Sequence, residues 1–177
     1  MAIITNMNHV HQSRTIKPRY ARTQATPQAW MLDHTWSTAT GDIFPGSCMK
    51  RIGNGEVTLC AADDVPFGLC GNWIAPVYGI DEITGDGNWD IAVWVLGNDA
   101  VMAIEAPAFD AEASWAAAKE SLAAGEHVYL GPNANGLLTI KESGECAFEL
   151  VDVEDAAHIL VTGCSATATA TSTTTTE

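Results

Sequence analysis

The sequence predicts a mainly β fold built from barrel- or sandwich-like hairpin modules, with one short helix at about residues 111–123. Three observations lead there. A hairpin pattern occurs twice at an offset of 81 residues, a strand apolar on both faces lies between the copies, and a single stretch has helical character. An extended N-terminal arm comes before these elements and a Thr-rich C-terminal tail comes after them.

The arm covers residues 1–37. No acid occurs before Asp33, while Arg14, Lys17, Arg19 and Arg22 are all basic. Pro18 and Pro27 bias the residues before them toward extended backbone, and no helical period is present. Such a cationic leader on an acidic body can order by lying on an acidic neighbour, with Tyr20 and the arginines as anchors.

The first β subdomain spans residues 38–108. Pro45-Gly46 makes a turn, residues 48–52 a strand, and Asn54-Gly55 the positive-φ corner of a hairpin. Val57-Thr58-Leu59 returns as the second strand, and a polar loop leads to a short strand carrying Phe67. In residues 90–96, Ile91, Val93 and Val95 share one face and Ala92, Trp94 and Leu96 the other, as in a strand covered on both sides. Gly97-Asn98-Asp99 then turns the chain, and residues 100–104 are expected to return as the antiparallel partner of 90–96.

The second subdomain, residues 109–163, opens with the helix. Asp110 is its expected N-cap and Gly125 its terminator, and Trp115 and Leu122 are spaced to share its buried face. A repeat of the first module follows. Asn135-Gly136 matches Asn54-Gly55, Thr139-Ile140 matches Thr58-Leu59, and Phe148 and Leu150 match Phe67 and Leu69. The tail, residues 164–177, has no large apolar group and does not fold by itself, although its threonines could add to a sheet edge.

Composition narrows the function. Hydrophobic residues make up 47% of the 177 and charged residues 17%, enough for a core and too apolar for disorder throughout. Acids outnumber bases 22 to 8, giving −14, and this repels phosphate backbones, so nucleic acid is set aside as a partner. No apolar run is long enough to cross a bilayer, and the start lacks a basic segment leading into an apolar one. Neither a membrane partner nor a signal peptide is expected, and the chain reads as made in a cytoplasm.

Chemistry-bearing patterns are sparse. Cys48, Cys60, Cys70, Cys146 and Cys164 form no CxxC pair and sit among apolar neighbours, as buried free thiols do. His9, His11, His34, His127 and His158 are scattered. Asp63-Asp64, Asp81-Glu82 and Glu154-Asp155 read as solvated loops, and residues 85–90 lack the glutamate that an EF-hand loop requires. Phosphate-binding, nucleophile-elbow and zinc-protease motifs are all missing. No catalytic residue, metal or cofactor is expected, and an enzyme is not. The six tryptophans fill cores and contacts, or stack on sugars if exposed.

The run Phe44-Pro45-Gly46-Ser47-Cys48-Met49, then Asn54-Gly55, Val57-Thr58-Leu59 and Val65-Pro66-Phe67-Gly68-Leu69, resembles the head decoration (capsid-stabilising, cement) proteins of tailed bacteriophages. The likeness is strongest over residues 40–72 and extends to 124–151 through the repeat. The Thr-rich tail and the duplication depart from that group's pattern. The resemblance implies a structural virion protein, a homotrimer seated on the capsid exterior with the major capsid protein as partner, and made in the host cytoplasm. Arg14, Lys17, Arg19, Tyr20 and Arg22 are then the expected shell contacts. The alternatives are a tail-tube or baseplate β protein, or a carbohydrate-binding module with Trp36, Trp73 or Trp89 exposed in a row.

Overall fold

Turn glycines and strand alternation sort the chain into two sheets. The computed structural model describes residues 16–21, 26–37, 39–74, 90–97 and 100–168. In chain order these hold β1 (Ile16–Ala21), β2 (Gln28–Leu32), β3 (Cys48–Arg51), β4 (Glu56–Leu59), β5 (Gly68–Cys70), β6 (Asp90–Trp94) and β7 (Ala100–Glu105). Helix α1 (Trp115–Ala123) comes next, followed by β8 (Tyr129–Pro132), β9 (Leu138–Ile140), β10 (Gly144–Asp155) and β11 (His158–Ala168). Strands β2-β4-β3-β5-β6 close into a barrel, and β1-β7-β11-β10-β8-β9 form a six-stranded sheet. The expectation of a mainly β fold with a short helix holds.

The duplicated pattern is a duplicated topology. In the barrel, β3 lies between β4 and β5; in the sheet, β8 lies between β9 and β10. Met49 faces Leu59 and Arg51 faces Val57; 81 residues on, Leu130 faces Ile140 and Pro132 faces Leu138. The two hairpins therefore keep one register. The third strand slips by one residue: Cys48 pairs with Leu69, whereas Tyr129 pairs with Glu149. Both turns use a left-handed glycine at the matched site, Gly55 at φ +78° and Gly136 at φ +69°.

One core fills the barrel and another spans the barrel–sheet junction. Leu32, Trp36, Ile43, Met49, Val57, Ile91 and Val93 pack in the first. Cys48, Cys60 and Leu69 from the barrel join Ile104, Leu130, Phe148, Ile159 and Val161 of the sheet in the second. Fully burying each such aliphatic or aromatic side chain contributes roughly 1.5–3 kcal/mol. Along β10, Cys146, Phe148 and Leu150 are buried, and then Val153. A bulge between Leu150 and Asp152 inserts the extra residue that switches the inward face.

Four expectations need correcting. Strands β6 and β7 do not pair. Both edges of β6 are taken by β2 and β5, so β7 crosses to the other sheet, where it pairs with β1 and β11. The helix starts at Trp115 rather than 111. Asp110 is tied to the second module instead, its N–H donating to Leu138 O at 2.8 Å and its Oδ2 accepting from Asn133 Nδ2 at 3.2 Å. It organises the preceding turn, accepting from Glu112 N at 3.0 Å, and gives α1 no side-chain cap. The C-terminal end follows expectation: Gly125 (φ +83°) donates to Leu122 O and Glu126 to Ser121 O, both at 3.0 Å, which closes a Schellman motif. Finally, the segments assigned to arm and tail contribute strands. Residues 28–32 complete the barrel, and residues 164–168 continue β11 against β10; residues 169–177 lie outside the described residues.

Candidate interaction surface

The basic segment expected to reach another molecule is, in its described part, an edge strand of its own sheet. Ile16 is buried and anchors β1 beside β7. Pro18, which has no N–H, stands where the register shifts between Pro18 and Tyr20, as suits a sheet edge. Lys17, Arg19 and Tyr20 thus share one strand, while Arg14 and Arg22 lie outside the described residues. Arg19 is exposed, and its acidic neighbour is Glu154 of the same chain, with Nη2 to Oε1 at 3.0 Å. An exposed pair of this kind contributes little to stability.

Among the described residues, many other ionisable groups are engaged within the chain. Asp64, read from sequence as a solvated turn, accepts from Lys50 Nζ and from Ala61 N, each at 2.6 Å. Partial burial raises its carboxyl, but these two donors outweigh burial and hold it below the ordinary carboxylate range. Lys119 donates to Val153 O at 2.6 Å and Lys141 to Ala62 O. His127 pairs with Glu149 at 2.6 Å and His158 with Asp155 at 2.8 Å.

Among the described residues, Asp33, His34 and Glu56 have ligand atoms within 4.8 Å of one another, close enough to share a metal ion. Each already has a partner. Asp33 Oδ1 accepts from Thr35 N at 2.9 Å and from Thr35 Oγ1 at 2.7 Å, and His34 Nδ1 sits 3.0 Å from Glu56 Oε1. The arrangement serves to join β2 to β4.

All five thiols are free. Burial pushes Cys60 and Cys70 up to about 12 and Cys164 to about 11, and raises Cys48 well above its ordinary value. These thiols stay protonated at neutral pH and are poor nucleophiles. Among the described residues no row of exposed tryptophans forms. Trp36 is 1% exposed, with its indole N–H donating to Gly41 O. Trp73 packs edge-to-face on Phe44, and Trp89 lies outside the described residues.

One cluster escaped the sequence reading. Arg51, at the end of β3, lies over two rings, 5.3 Å from the Trp30 centroid and 5.2 Å from that of Phe67. The rings meet edge-to-face at 4.9 Å. The available signal was the basic pair Lys50-Arg51 in an otherwise acidic body. Only the fold shows that Lys50 turns to Asp64 while Arg51 turns to the aromatics.

Comparison with known proteins adds a family. No curated protein and no solved structure matches the chain. The family model described as phage cement protein matches residues 2–176. The match takes in both sheets, the helix and both terminal segments, so the chain belongs to the phage cement protein family, a structural family associated with the bacteriophage capsid.

Proposed function

We propose that the protein is a capsid-stabilising decoration protein that binds the outside of the phage capsid lattice, touching the major capsid protein as a homotrimer. The family match over residues 2–176 carries this reading. A net charge of −14 suits an exterior site, where no packaged nucleic acid is met and like-charged particles stay apart. A trimer bridging neighbouring capsomers multiplies three weak contacts through effective concentration, so no single contact need be tight. The work is mechanical, and the protein is not an enzyme.

Shell contact is assigned to the basic segment: Arg14, Lys17, Arg19, Tyr20 and Arg22. As the border strand of the six-stranded sheet, β1 carries Lys17, Arg19 and Tyr20 along one edge of that sheet. Deleting residues 1–32 would also remove β1 and β2, so charge substitution is the cleaner test. The variant Arg14→Glu, Lys17→Glu, Arg22→Glu should occupy purified bare heads more weakly than wild type. Wild-type occupancy should fall as salt is added, because exposed charges are screened within about 8 Å at physiological ionic strength. Undiminished occupancy by the variant would refute the arm assignment. Wild-type density inside the shell, or none at lattice junctions, would refute the exterior role.

A further inference from the structure

Arg51 is unlike the other cations whose side chains are described. Arg19, Lys50, Lys119 and Lys141 all have their charge on an acid or a carbonyl of this chain. Among the described residues Arg51 makes no ion pair, although the chain has 22 acids against 8 bases. It is exposed. Its position two residues beyond the buried Met49 puts it on the inward-facing side of β3, at that strand's end. Trp30, two residues before the buried Leu32, and Phe67 pack on the barrel core and also meet the guanidinium. In the same loop as Phe67, Val65 is 47% exposed.

We propose that Arg51, seated on Trp30 and Phe67, is the anchor of a docking surface for a carboxylate-bearing segment of the capsid shell; this rests on the decoration-protein reading above. Three physical points carry it. A guanidinium already held against two rings has less rotamer freedom to lose on binding. The cation–π contact leaves its N–H donors available for a two-bond grip on a carboxylate. Arginine beside large aromatics is the composition that dominates binding energy at interface centres. Among the described residues no carboxylate pairs with Arg51, and the inference assigns the complementary charge to another molecule.

The test uses full-length wild type, Arg51→Lys and Arg51→Met on purified heads free of this protein, with occupancy measured against concentration. Met keeps an apolar stem on the rings and removes the charge; Lys keeps the charge and loses the planar fork. Half-saturation should need about tenfold or more protein for Arg51→Met. Arg51→Lys should fall between Met and wild type, because a point charge cannot reproduce the grip. Thermal midpoints and solution oligomer number should match wild type. Wild-type-like occupancy by Arg51→Met would overturn the inference while leaving the decoration reading standing. A changed oligomer number would also overturn it, assigning Arg51 to contact with a second copy. If wild type itself fails to bind heads, the decoration reading falls and the inference falls with it.

Discussion

Gly55 and Gly136 occupy the same corner of the two repeats, both left-handed, but in different surroundings. A Cβ at Gly55 meets nothing within 4 Å, whereas one at Gly136 runs into the Leu59 side chain, with Cys60 O behind at 3.2 Å. Gly136 O also accepts from Cys48 N at 2.8 Å, so the second module's turn is clasped to the first module's strand. Gly55→Ala should cost only left-handed backbone strain, about 1–2 kcal/mol. Gly136→Ala adds overpacking against Leu59, which is 6% exposed, and a backbone carbonyl that cannot rotate away. That addition is about 1–3 kcal/mol. Urea unfolding monitored by Trp fluorescence and by far-UV circular dichroism reads the difference, provided the slopes match and the probes coincide. Combining Gly136→Ala with Leu59→Ala should be less destabilising than the two singles added together, because the second change removes the first one's obstacle. Equal losses for the two glycine variants, or strict additivity of the pair, would refute the packing of one repeat's turn against the other repeat.

Three further outcomes follow from burial and charge. Native protein at pH 7.5 should react slowly with iodoacetamide, and all five cysteines should label once urea unfolds it; rapid native labelling of Cys48 or Cys70 would contradict their burial. Trp36→Ala should cost about 3–5 kcal/mol in the same urea assay, since it empties the largest fully buried side chain among the described residues and ends the bond to Gly41 O. Asp33 and Asp64 both titrate below the ordinary carboxylate range. A depressed folded-state value contributes stability above the unfolded pKa of about 4, lost as pH falls through the folded value. The urea midpoint should therefore drop between pH 5 and pH 3, and Asp64→Asn should flatten part of that drop. An unchanged slope in Asp64→Asn would show that the Lys50 contact does not matter in solution.

Much of the fold was legible because its signals are local. Asn-Gly corners need positive φ, alternating apolar residues need one dry face, and Gly125 ends a helix; each can be read within a few residues. The 81-residue repeat was legible for the same reason, and the two hairpins keep that offset in their register. The candidate interaction surface was read less fully. The basic segment stands out in composition, and membership of the phage cement family agrees with the likeness of the Pro-Gly and Phe-Gly-Leu runs. Composition could not show that Ile16 docks this segment on β7, nor that Arg19 meets Glu154, 135 residues away.

Local sequence determined which residues become strands, where they turn, and that the same hairpin is used twice. Beyond these two hairpins, tertiary structure alone decided which strands are neighbours. Strand β6 reads in sequence as half of a hairpin with β7, yet its edges go to β2 and β5 because closing the barrel gives both of its edges a hydrogen-bonding neighbour. The meeting of Arg51 with Trp30 and Phe67 is of the same kind. Three residues far apart in sequence come together because barrel closure brings the ends of separate strands to one place, and no local pattern encodes that distance.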